Sequence, residues 1–190
     1  EGDIEELTNK SDCYVLSRTT KPLVYLFYKL LKKGIGSVIV GKDLEKGLQQ
    51  LAKRVSSPSK DQILIKLEEE LAKLEDELTA NNIQKPLFHP SYINLEEKTS
   101  ILRVILDVCR NGLELESKIS ELFNGSSNIK LMSMHRSKGL EKDVVYIVRS
   151  FEKEKLYPIK YAIKEHEKEQ ERNLEFVAIT RAKRELIYID

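Results

Sequence analysis

The sequence contains no tryptophan, two cysteines, five prolines and eight glycines in 190 residues, and aromatic residues make up 7% of it. So little cysteine excludes a disulfide-stapled scaffold. Cys13 and Cys109 each stand in an apolar stretch, as small core residues of a reducing compartment do. Histidine is scarce too, and His89 and His166 have no cysteine or carboxylate partner at ligand spacing, so no zinc site is expected. Neither charge sign dominates: 32 lysines and arginines against 31 acidic residues leave a net charge of +1. A diffuse basic field is therefore excluded as a partner signal, and any anion site must be local. No apolar run approaches the roughly 20 residues that cross a bilayer, and no charged-then-apolar leader opens the chain. These features imply a soluble, cytoplasmic protein. What remains, 41% hydrophobic and 33% charged residues in 22.0 kDa, suits one core with appendages. The chain opens Glu1-Gly2-Asp3 without methionine, as a piece of a longer polypeptide would.

A β-rich run at Cys13 to Ser17 leads through Arg18-Thr19-Thr20-Lys21-Pro22 into Leu23, Leu26, Phe27, Leu30 and Leu31 at helical spacing, closed by Gly34. Ser37 to Val40 then reads as a buried strand, which completes a β-α-β unit and signals a parallel sheet. A helix from Asp43 to Val55 ends at Ser56-Ser57-Pro58-Ser59. Beyond it Leu64, Leu67, Leu71, Leu74 and Leu78 repeat at 3-4-3-4 spacing against an acidic surface, a packed helix or a partner-recruiting one. Helices from Leu95 to Val108 and Leu113 to Phe123 come next, and strands return at Ile129 to Met134, Val144 to Val148 and Glu185 to Ile189. The segment Glu152 to Lys168, with Tyr157-Pro158 inside it, alternates charge and reads as a solvated loop and helix entry. The fold class is α/β, a parallel sheet flanked by helices with a helical insertion in mid-chain. Its parts are 1–55, a helical insertion with return helices at 56–128, and 129–190.

Gly36-Ser37-Val38-Ile39-Val40-Gly41-Lys42-Asp43 fits the phosphate-loop spacing except at its last position. Its interior is itself a β-branched strand, and a carboxylate replaces the magnesium-binding hydroxyl, so it is rejected as a phosphate site. Two other strings carry more information. Lys130-Leu131-Met132-Ser133-Met134-His135-Arg136-Ser137-Lys138-Gly139-Leu140-Glu141 resembles the fifth helicase motif of the UvrD/Rep DNA helicases, a strand ending in T-x-H-x-A-K-G-L-E. Gln170-Glu171-Arg172-Asn173-Leu174-Glu175-Phe176-Val177-Ala178-Ile179-Thr180-Arg181-Ala182 resembles their sixth motif, E-E-R-R-L-x-Y-V-A-x-T-R-A. Tyr14-Val15-Leu16-Ser17-Arg18-Thr19 is similar to the fourth. The resemblance covers about residues 12–55 and 95–190, with departures at Ser133, Ser137, Lys142 and Asn173.

The resemblance implies a RecA-like fold and the C-terminal half of an ATP-dependent DNA helicase motor. The Walker lysine, the D-E-x-x magnesium site and the adenine-reading glutamine belong, in that family, to an N-terminal RecA-like domain. That domain is the implied partner, ATP with Mg2+ the implied cofactor, and magnesium would be held by the N-terminal domain. These residues alone are then expected to be inactive. A charge-spread phosphoryl transition state needs cations from the opposite wall, and guanidinium supplies fixed bidentate donors. Arg181, read as lying in the helix before the last strand, and Arg18, at a strand end, are the candidates for the γ-phosphate. Gly139 would let backbone approach an anion, and Glu141 would accept from a ribose hydroxyl. Ser133, His135, Arg136 and Lys138, with Thr19 extending the track, are candidates for holding single-stranded DNA at a strand end, where parallel sheets place ligands. A helicase-nuclease subunit and a non-enzymatic interaction module are the competing functions.

Overall fold

A computed structural model describes residues 12–152, 154–156, 159 and 162–189. Tyr157-Pro158 lies outside the described residues. The chain forms two compact units, one running to Gly41 and resuming at Leu122, the other spanning Lys42–Glu121.

The first unit is built on a sheet of five strands, β1 (Cys13–Ser17), β2 (Val38–Ile39), β3 (Ile129–Ser133), β4 (Lys142–Val148) and β7 (Ala182–Ile189). They lie in the order β2-β3-β1-β4-β7, every neighbouring pair parallel. A short antiparallel pair, β5 (Ser150–Phe151) and β6 (Glu154–Lys155), comes between β4 and β7 in the chain. β1 sits centrally and is buried along its whole length, the burial that a parallel strand covered on both faces requires. Tyr14, Leu16, Met132, Val145 and Ile147 form one apolar face together with Met134 and Ala178. Alternation turns Cys13, Val15 and Leu131 to the other face, the side left for α1 (Lys21–Lys32), which packs on β1, β2 and β3. Pro22 presets its first turn, and Gly34, at φ +74°, takes the left-handed position beyond its end. The phosphate-loop look-alike is indeed a strand: β2 fills its interior.

The second unit is helical: α2 (Lys42–Arg54), α3 (Lys60–Ala80), α4 (Pro90–Val108) and most of α5 (Leu115–Phe123). α3 begins at Ser59, whose hydroxyl accepts from the Gln62 amide, and packs on α4 through Ile63, Leu67, Leu71 and Leu78. The seam read from the sequence is thus shifted at its start: Ile63 is buried and Leu64 is exposed at 36%. α4 starts earlier than its apolar period suggested, at Pro90, because Pro suits the first turn and the His89 ring accepts the Ser91 amide. Gly112 is required by packing, since a Cβ there would lie 2.0 Å from the Ser57 carbonyl oxygen.

The last helix, α6 (Glu165–Ile179), returns to the first unit and covers the sheet face opposite α1. It is held at its start by Glu167, whose carboxylate accepts from the Lys164 and Ile163 amides at 2.8 and 2.9 Å. Among the described residues no helix is long and apolar enough to cross a membrane.

Candidate functional site

β3 ends at Ser133, which pairs with Ser17 at the end of β1, so both mark the carboxyl edge of the sheet. The chain then makes a 3-10 turn over Met134–Ser137 and enters β4 at Lys142. Because β3 and β4 both run parallel to β1 between them, residues 134–141 must carry the chain from the carboxyl edge to the amino edge. The turn is pinned from inside: Met134 is fully buried, and the buried Ser137 hydroxyl donates to the Met134 carbonyl at 2.7 Å. Serine in place of the family's alanine is thereby explained. Lys142, in place of an aromatic residue, pairs with Asp12 at 2.5 Å and lies 5.7 Å above the Tyr14 ring.

This crossing divides the candidate residues between two edges. At the carboxyl edge lie Ser133, Thr19 and Arg18, with His135 and Arg136 exposed on the turn that leaves β3. Lys138 is exposed just beyond that turn. At the amino edge Gly139, Glu141 and Arg181 come together. Arg181 is in the turn between α6 and β7 rather than in the helix, which ends at Ile179 because the last residues before β7 must reverse direction. Its backbone carbonyl accepts from the Lys142 amide at 3.0 Å, locking the starts of β4 and β7. Its guanidinium donates from Nε to the Val177 carbonyl (2.8 Å), from Nη1 to the Leu140 carbonyl (3.1 Å) and from Nη2 to the Thr180 hydroxyl (2.9 Å). A guanidinium has five N–H donors, and these bonds engage three of them. Gly139 has φ +80°, and no atom beyond its chain neighbours lies within 4 Å of where its Cβ would be. Its glycine is required by backbone conformation, and the space in front of it is open. Glu141, half exposed, faces Lys183 at 3.3 Å.

Arg18 does not join Arg181. Ser17 pairs with Val148 and Lys142 pairs with Ala182, so six residues of β4 separate the two arginines along the strand, roughly 20 Å of extended chain. Arg18 instead makes a forked contact with Glu171 of α6, from Nη2 to Oε1 at 2.7 Å and from Nε to Oε2 at 2.8 Å. The pair is largely buried, with side-chain exposures of 17% and 9%. Glu171 also accepts from the Ile159 amide at 3.2 Å. Burial pushes its carboxyl up, but the Arg18 bonds and charge, with smaller help from Ile159 and His135, hold it below the usual carboxylate range. Sequence reasoning assigned Glu171 no role. The signal available was an acid inside the sixth motif facing an arginine in the fourth, and the two are 153 positions apart.

A five-stranded all-parallel sheet flanked by helices is an α/β architecture of RecA-like form. A sequence profile of the UvrD-like helicase C-terminal domain matches residues 90–190, and the chain belongs to that family. It is similar to the ATP-dependent DNA helicase PcrA of Staphylococcus epidermidis, 40% identical over 96 residues, which are 49% of this chain and 12% of that protein. It is also similar to the PcrA of Staphylococcus aureus, 35% identical over 119 residues, 61% of this chain and 16% of that protein. The chain thus spans under a fifth of the length of these relatives.

Proposed function

We propose that this chain is the second RecA-like half of an ATP-dependent DNA helicase, closing on ATP bound by an N-terminal RecA-like domain of the same polypeptide. The observation that supports this best is the contact between the Arg181 guanidinium and the Leu140 carbonyl, which joins the sixth motif to the open Gly139–Glu141 turn of the fifth. ATP fits these groups. Arg181 has the fixed, permanently charged donors suited to a γ-phosphate, Gly139 leaves its side open, and Glu141 offers an acceptor to a ribose hydroxyl. Magnesium is assigned to the N-terminal domain. Phe176, 66% exposed, and Leu140, 38% exposed, give the Arg181 edge an apolar surface for that domain to meet.

Ser133, His135, Arg136, Lys138 and Thr19 hold single-stranded DNA through its phosphates at the other edge. Arg18 belongs with this group by position. The competing readings, a helicase-nuclease subunit and an interaction module, have no separate observation in their favour. The test uses the full-length polypeptide and labelled single strands titrated at several salt concentrations. Replacing His135 and Arg136 with alanine is expected to weaken strand binding and flatten its salt dependence, because fewer phosphate contacts release fewer counterions. Glu141→Ala is expected chiefly to raise the ATP concentration at half-maximal rate. A His135/Arg136 variant with the parental affinity and salt slope removes the turn from the strand grip.

A further inference from the structure

α6 reaches across the sheet. Glu171, near its middle, meets the carboxyl edge through Arg18, and about 12 Å of helix separates it from Ile179, after which Arg181 stands at the amino edge. Two routes therefore join the strand-side group to the nucleotide-side group: the crossing 134–141, and this helix. The crossing is a 3-10 turn followed by loop. The helix is stiff, and Glu171 is where the strand side is fastened to it. The fastening is strong by its chemistry, a forked, charge-assisted contact with both partners largely withdrawn from water, and an N–H from Ile159 on the same carboxylate. The turn after β3 packs on the same helix, with the buried Met134 in the apolar cluster that holds Ala178. One buried charge thus ties the segment after β1 and the approach to α6 to the helix on which the turn after β3 is packed.

We propose that Glu171 is a positioning residue that couples strand binding to ATP hydrolysis, holding Arg18 to the helix that leads into Arg181 and on which the turn after β3 also packs. This rests on the assignment of the two edges to strand and nucleotide. Glu171 touches neither ligand, and its effect passes through Arg18 and α6.

The test measures ATP hydrolysis by the full-length polypeptide with and without saturating single-stranded DNA, and takes the ratio of the two rates. That ratio does not depend on how much of the protein is folded, so a merely structural role leaves it unchanged. Glu171→Gln keeps the shape and removes the charge. It is expected to lower the ratio about tenfold, within the range that small misplacements of working groups produce, and to leave the half-saturating ATP concentration unaltered. Glu171→Asp keeps the charge on a shorter stem and is expected to fall between Gln and the parent, and it carries the test if the Gln variant does not fold. A parental ratio in these variants, with or without a lower melting temperature, overturns the proposal. If Arg181→Ala and the His135/Arg136 variant are defective while Glu171→Gln keeps its ratio, only the coupling role falls. If those two variants also behave as the parent, the assignment of the edges falls with it.

Discussion

At Arg181 the guanidinium is held in advance by two backbone carbonyls and a neighbouring hydroxyl, so its orientation does not depend on a ligand to set it. Preset donors of this kind lose little on binding a developing negative charge, and removing one from phosphoryl transfer is costly. Arg181→Ala in the full-length polypeptide is expected to lower the rate of phosphate release by about a thousandfold with strand affinity nearly intact. A rate near the parental one removes Arg181 from the ATP contact. Glu171 makes a different prediction, about stability. Its carboxyl is held below the ordinary glutamate value of 4.5 in the folded protein. The stability it contributes is therefore complete above that value and is lost as the pH falls through the lower folded value. Glu171→Gln is expected to cost about 1–3 kcal/mol near pH 7. In thermal melts the gap between parent and variant should close as the pH is taken below about 4.5, and a gap that stays constant or widens in acid contradicts the ion pair.

Among the elements, the crossing 134–141 matters most, and it was only partly legible. The sequence marked Gly139 as a turn and Ser137 as a departure, but strand order is a tertiary property. Nothing in residues 129–148 says that β1 will lie between the strands at either end. Without that, the two roles read on either side of Gly139 could not be assigned to opposite edges, and Arg18 was grouped with Arg181. The helices and the strands of the parallel sheet were readable, because buried parallel strands are short apolar runs and Leu23, Leu26, Phe27 and Leu30 keep a helical period, whereas β6 falls in a charged stretch read as a loop. The seam of α3 was readable to within one position, since Ile63 and Leu64 both fit a spacing of three or four before Leu67. Arg181 was misplaced by the ordinary uncertainty of a helix end. The crossing can be tested directly. Gly139→Ala meets no atom but must adopt φ +80°, so it is expected to destabilise by about 1 kcal/mol. It should also raise the ATP concentration at half-maximal rate, because the strain falls between Lys138 and Glu141. Unchanged stability and ATP dependence would mean that the turn takes another conformation when it works.

For the molecule as a whole, the proposed function leaves the magnesium-holding half of the site to an N-terminal RecA-like domain. The amino edge offers a cation, an open glycine and a carboxylate. Phosphoryl transfer also needs a group that orients the attacking water and a metal that bridges the phosphates. The stretch from Gly36 to Asp43, whose spacing imitates a phosphate loop, holds β2 in its interior, and its Val40 amide donates to the Leu131 carbonyl at 2.9 Å. These 190 residues by themselves are therefore expected to show no strand-stimulated ATP hydrolysis, while the first unit, with both faces of its sheet covered, keeps a folded circular-dichroism spectrum. Adding the N-terminal RecA-like domain of the same polypeptide should restore hydrolysis in a manner that Arg181→Ala abolishes. Purified chain that turns over ATP at an ordinary ATPase rate, and does so equally with Arg181→Ala, would place the chemistry elsewhere in the sequence and reopen the Gly36 stretch as a phosphate site.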